Sequence, residues 1–191
     1  VDYFIRYYGD PVLREKTTTV ETIDEAFKAF VERLAEMMYE YDGVGLAAPQ
    51  IGVSQRVFVM DDGRGKGWNV VINPEIIEKS KETSVSEEGC LSLPEIWEEV
   101  ERPLKVKVKY TTLESETVEE TLEGYPATIF QHETDHLNGV LFVDHLSVTK
   151  RRLLRHQLSE LQKKASENLK HNAKHLKPLP IKDPQKIKET M

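Results

Sequence analysis

The sequence predicts an α+β fold in which a central metal-binding helix packs among antiparallel β-sheets, with an N-terminal amphipathic helix and a C-terminal helix. Three observations carry this. Residues 131–139 read Gln-His-Glu-Thr-Asp-His-Leu-Asn-Gly, flanked by Ile129, Phe130 and Val140, which suits a buried helix. Leu104-Lys105-Val106-Lys107-Val108-Lys109-Tyr110 alternates apolar and basic residues, the pattern of a half-buried strand. Ile23, Phe27, Phe30, Val31, Leu34, Met38 and Tyr41 recur at helical spacing, one apolar stripe for a helix over 24–41.

At 191 residues and 39% apolar content the chain can build one proper core. It lacks an 18-residue apolar run, so no membrane span is expected. A single cysteine excludes an internal disulfide framework and, beside spaced histidines, points to a reducing compartment and a metal ligand. Neither a secretory signal nor a transit peptide is read at the start, so a cytoplasmic location is expected. Charge is unevenly spread. From Ser147 onward there are 12 Lys/Arg against 4 Asp/Glu, a net +8, while residues 1–146 carry 14 against 29, a net -15. Any polyanion contact is therefore expected in the tail.

The elements follow in order. Gly9-Asp10-Pro11 signals a turn. Thr22 to Glu25 fits a capping box with Thr22 as N-cap, and Asp42-Gly43 ends the first helix. Gly43–Gln50 is too rich in small residues for a helix; it reads either as a tight connector or as a loop whose backbone approaches a ligand. Arg56–Asp61 and Trp68–Asn73 bracket a Gly-rich stretch and suggest a hairpin, and Thr117–Leu122 suits a partner for the Leu104–Tyr110 strand. Pro126 fits a first helical turn and Gly139 a stop just past the end. A short strand is expected at 140–143 and a helix from Ser147 to Lys170, with Leu153, Leu154, Leu158 and Leu161 on one side. The expected parts are thus a catalytic domain over 1–146, a basic helix over 147–170 and an extended or disordered tail over 171–191.

His132 and His136, four apart, stand one turn above the other on a helix and can grip one metal ion, with Glu133 beside it to take a proton from a water. Two histidines leave a third ligand to be found. The longer peptidase pattern needs histidine at 142, where the chain has Phe142. Another pattern takes a downstream glutamate, and Glu160 is at such a distance, although its charged surroundings suggest a solvated carboxylate. Cys90 would complete a three-ligand set with a fourth position open. Alternatives are therefore a zinc peptidase or amidase using Glu160, and a non-enzymatic ribosome-associated domain with a structural metal. The latter normally needs four protein ligands, and there is no second cysteine.

Gly43–Gln50, Glu88–Ser92 and Gln131–Gly139 together resemble the three signature motifs of the peptide deformylases, in order and with similar separations, across most of residues 9–146. The resemblance implies a bacterial or organellar enzyme that removes the formyl group from the N-terminal formyl-methionine of newly made polypeptides. It implies one divalent metal ion held by Cys90, His132 and His136, with Fe(II) as the expected native ion and Zn(II), Ni(II) or Co(II) as possible occupants. A water activated there would attack the formyl carbon, with Glu133 handling its proton. The Gln50 amide and the Leu91 backbone N–H would meet the developing oxyanion. The nascent peptide would lie extended along Gly43, Val44, Gly45 and Leu46, with Val44 and Ile129 walling a slot for methionine. The basic C-terminal helix is similar in place and charge to one that contacts the ribosome in some deformylases, so the ribosome is a second expected partner.

Overall fold

The computed structural model describes residues 3–172. Its first long element is α1 (Glu25–Glu40), which buries Phe27, Val31, Leu34, Ala35, Met37 and Met38 on one face. The cap differs from the sequence expectation. Asp24, not Thr22, is the N-cap, and its carboxylate accepts from the Phe27 backbone N–H at 2.8 Å. Asp24 is itself a strong capping residue and sits one residue before the helix, so it supersedes the more distant Thr22.

A five-stranded antiparallel sheet follows the order β1 (Gly45–Ala47), β2 (Val57–Met60), β3 (Asn69–Lys79), β6 (Lys105–Thr111), β7 (Thr117–Glu123). The expected hairpin is present, with Val57 opposite Ile72 and Met60 opposite Asn69. β3 runs further than expected. Asn73, at φ 51°, and Pro74 stand where the pairing with β6 shifts register, so a bulge carries the strand past the residues that seemed to end it. In β6, Val106 and Val108 are buried as the alternation requires. The glutamates of β7 find their register through its lysines, with Lys105–Glu123 at 3.1 Å and Lys107–Glu119 at 2.7 Å.

Both faces of the sheet's first strands are covered. Val57, Val59 and Leu46 pack with α1, while Phe58, Met60 and Ala47 pack with Ala127, Phe130 and Leu137 of α2 (Tyr125–Leu137). This is why β2 reads as continuously apolar, and it fixes α2 against β1. Pro126 occupies the first turn of α2, and Gly139, at φ 72°, lies just past its end.

A second sheet, the hairpin of β4 (Thr83–Cys90) and β5 (Leu93–Pro103), was not legible as strands in the sequence. Its exposed positions are filled with glutamate, and its register shifts between Gly89 and Cys90, which hides the alternation. Leu93, Ile96 and Val100 of β5 pack with Leu141, Phe142 and Val143. That last segment is a 3-10 helix, Phe142–His145, rather than the short strand expected at 140–143. The Asp144 carboxylate accepts from the Leu141 backbone N–H at 2.9 Å and from Arg14, closing a turn where a strand would have stayed extended.

The C-terminal helix is divided into α3 (Val148–Leu153) and α4 (Arg155–Asn172), although Leu154 keeps helical backbone bonds on both sides. Leu154, Leu158, Leu161 and Ala165 form the buried stripe. Leu153 stands 78% exposed, because it lies about 100° around the helix from Leu154 and off that stripe. α4 supplies residues 171 and 172 as regular helix; the remainder of the extended or disordered tail expected there, residues 173–191, lies outside the described residues. No helix among the described residues is long and apolar enough to cross a membrane.

Candidate metal centre

α2 places His132 and His136 on one face, as their spacing requires, and the end of β4 delivers Cys90 to them, 46 residues before His136. Among the described residues these three form one group able to hold a metal ion, their donor atoms all within 4.8 Å of one another. Cys90 Sγ lies 3.3 Å from His136 Nε2. Tetrahedral ligands at ordinary Zn–S and Zn–N bond lengths stand roughly 3.3–3.6 Å apart, so the donor set fits a divalent ion. Glu160, the alternative third ligand, is on the exposed face of α4, bonded to Lys163 at 2.7 Å.

The two imidazoles are held differently. His132 Nδ1 meets Glu88 Oε2 at 2.8 Å, which commits that nitrogen and leaves Nε2 for the centre. Burial works against the charged form of both rings. At His132 the neighbouring Cys90 and Glu88 outweigh burial and raise its pKa well above the usual value, whereas at His136 burial prevails, helped by the His132 charge, and lowers it. A cation among the donors would take the place of protons there, because thiol and imidazole ligands bind a metal in their deprotonated forms.

Behind His132 lies a network, buried at Glu88 and Arg102 and reaching the surface at His145, that sequence reasoning missed. Arg102 donates to both Glu88 oxygens, at 2.6 and 3.0 Å, and to Asp135 Oδ2 at 2.8 Å; Asp135 also meets His145 Nε2 at 2.7 Å. Burial alone would raise the Glu88 carboxyl, but His132 and Arg102 hold it below the ordinary range. Glu88 therefore stays an acceptor and fixes the His132 tautomer. The signal available in sequence was proximity: Glu88 stands two residues before Cys90, within the Glu88–Ser92 motif.

Glu133 is buried between the histidines' helix and β1. Its Oε2 has no hydrogen-bond partner, and burial pushes its carboxyl up to about 7. It abuts Gly45 so closely that a Cβ there would sit 2.8 Å from Glu133 Cδ and 2.9 Å from Cγ. Gln50, expected on a loop, lies in a 3-10 helix, Ala48–Ile51. Its Oε1 accepts from the Ala47 N–H at 2.8 Å, which turns Nε2 toward Ser92 Oγ at 3.3 Å and Cys90 Sγ at 3.4 Å. Leu91 follows Cys90 in the turn between β4 and β5, and its side chain packs on the Gly43 backbone.

These residues converge on one cleft of about 490 Å³, lined by Gly43, Val44, Gly45, Gln50, Cys90, Leu91, Ile129, His132 and Glu133, among others. Ile129 is buried within it and Val44 stands half open at its edge. Leu46 does not line it; its side chain is buried in the core with α1. The strand β1 alternates, so Gly45 faces Glu133 while Leu46 turns away.

The family model for polypeptide deformylase matches residues 3–152. The peptide deformylase of Thermotoga neapolitana is 58% identical over 163 residues, covering 85% of this chain and 98% of that one. Among solved structures, peptide deformylase from Thermotoga maritima aligns at 59% identity with TM-score 0.73, covering 76% of this chain and 97% of that one. The enzyme from Thermus thermophilus aligns at 44% identity with TM-score 0.80, covering 86% and 99%. The chain belongs to the peptide deformylase family, enzymes that remove the formyl group from N-formyl-methionyl peptides.

Proposed function

We propose that Cys90, His132 and His136 hold the metal of this deformylase and that Glu133, Gln50 and Leu91 carry out the proton transfer and oxyanion binding around it. The observation that carries this is the convergence of three distant segments on one cleft with Glu133 at its base. A divalent ion bound there supplies a Lewis acid and an acidified water. Fe(II) is the proposed native ion; the thiolate and imidazole set also accepts Zn(II), Ni(II) or Co(II).

The formylated N-terminus of the nascent polypeptide enters along Gly43–Gly45, whose backbone edges the cleft, with Val44 at the mouth and Ile129 deeper beside the methionine side chain. Glu133 takes a proton from the attacking water and passes it to the departing amine. A carboxyl with a pKa near 7 is matched to both tasks near neutral pH. The Gln50 Nε2 amide, aimed by its bond to Ala47, and the Leu91 N–H stabilise the oxyanion as charge develops. Glu88 and Arg102 keep His132 in its ligating tautomer. The enzyme works in a bacterial cytoplasm. There the basic α3–α4 surface, with Lys150, Arg151, Arg152 and Arg155, meets the ribosome and raises the local concentration of formylated N-termini.

The test of the site is Glu133→Ala, which should retain one metal per chain yet lose at least roughly a hundredfold in kcat on a formyl-Met peptide, the worth of a positioned general base. Near-normal turnover by the metal-loaded variant would sink the assignment.

A further inference from the structure

The mouth of the catalytic cleft carries a side chain that no step of deformylation requires. Trp97 on β5 lines the cleft and stands 63% exposed. It is nonetheless seated. Trp97 pairs with Gly89 across the β4–β5 hairpin, and a Cβ on Gly89 would come within 2.6 Å of the indole Cζ3 and 2.7 Å of Cε3. Only a glycine lets the ring rest on the backbone there, and that glycine immediately precedes Cys90. An aromatic platform is thus fixed one residue from the metal-holding thiol, with much of its surface left to water.

The exposed charged side chains of this lining are of one sign. Asp42, Glu87 and Glu95 are exposed residues of the same cleft lining, and none takes part in an ion pair among the described residues. The lining contains neither lysine nor arginine. The face of an indole is the negative pole of its quadrupole, so ring and carboxylates together create a field that attracts a cation and repels an anion. An apolar side chain would gain contact with the ring but nothing from the carboxylates; a lysine or arginine gains from both, its methylenes on the indole and its charge among the acids.

We infer that Trp97 is a specificity-determining residue that takes a lysine or arginine side chain of the substrate beyond its methionine. The enzyme then favours formyl-Met peptides that are basic in their next few residues. This rests on reading the cleft as the peptide site, and the experiment separates the two. The parent substrate is formyl-Met-Ala-Ala-Ala-amide, with arginine or glutamate placed in turn at the second, third and fourth residue. The wild-type enzyme should prefer arginine to alanine in at least one position by about 2- to 5-fold in kcat/KM, the range of an exposed cation–π contact, with the difference in KM rather than kcat. Glutamate there should be disfavoured. Trp97→Ala should erase the arginine preference while hydrolysing the all-alanine peptide with wild-type kcat, and Trp97→Phe should keep most of it. Turnover of the all-alanine peptide reports on the cleft and its metal independently of Trp97. An arginine preference that is absent from the wild type, that survives Trp97→Ala, or that is lost only together with an equal loss on every peptide overturns the inference.

Discussion

Gly45→Ala probes a close contact in the site, that of β1 with Glu133. Gly45 has an ordinary strand backbone, so alanine is allowed locally and the consequence falls on what its Cβ meets. That atom would lie 2.8 Å from Glu133 Cδ and 2.9 Å from Cγ, against the roughly 3.5–4.0 Å of a comfortable carbon contact. The carboxylate must therefore retreat by about 1 Å. The backbone can give little of this. β1 is paired to β2 and covered by α1 on one face, and α2 is wedged against the other. A misplacement of about 1 Å in a reacting group costs on the order of a hundredfold in rate, or about 2.7 kcal/mol in the barrier. Overpacking should in addition lower stability by about 1–3 kcal/mol, a few degrees in Tm for a domain of this size. The assay is steady-state deformylation of a formyl-Met peptide, with metal content and thermal unfolding measured on the same preparation. The expected result is retained metal, a modest fall in Tm and kcat reduced roughly a hundredfold. A kcat within threefold of wild type would show that Glu133 accommodates the methyl freely, and the claim that Gly45 sets its position would fail.

Glu88→Ala strips His132 of its Nδ1 partner and leaves Arg102 with Asp135 alone. Metal affinity measured by chelator competition should fall about 10- to 100-fold, and urea unfolding of the apo protein should show a loss of about 3 kcal/mol from the stranded buried charge; unchanged affinity would remove Glu88 from the metal-positioning role. If Fe(II) is the native ion, activity of anaerobically prepared enzyme should decay within hours of exposure to air, because oxygen attacks both the metal and the Cys90 thiolate. Stable activity and metal content in air would point to zinc or nickel instead. Leu154, Leu158 and Leu161 are buried against β5, so the proposed ribosome contact is better tested by Arg151→Gln, Arg152→Gln and Arg155→Gln together than by deleting the helix. Co-sedimentation with ribosomes at low salt should weaken while turnover of a short formyl-Met peptide holds. Equal co-sedimentation of the two proteins would refute the contact.

What the sequence determined by itself was whatever depends on spacing within one element. His132 and His136 share a helix face because four residues is about one turn, and Val106 and Val108 share a strand face because two residues is one pleat repeat. The three motifs were legible because each is short and contiguous. Their meeting point was not a matter of periodicity. Cys90 reaches His136 only because the β4–β5 hairpin folds against the 3-10 helix at Phe142–His145, and that hairpin was hidden under its glutamates and its register shift. Leu46, grouped with Gly43–Gly45 from contiguity, faces the core instead, since alternation along β1 sends neighbours to opposite sides. Glu88, Arg102 and Asp135 are separately ordinary charges; only in the folded chain, where burial removes water and each must find a partner, do they become the support of His132. The contact of Gly45 with Glu133 and the seat of Trp97 on Gly89 belong to the same class. They are decided by which backbones the sheet pairing and the α2 packing bring together, and pairing over long sequence distances is set by the burial of whole faces rather than by any local run of residues.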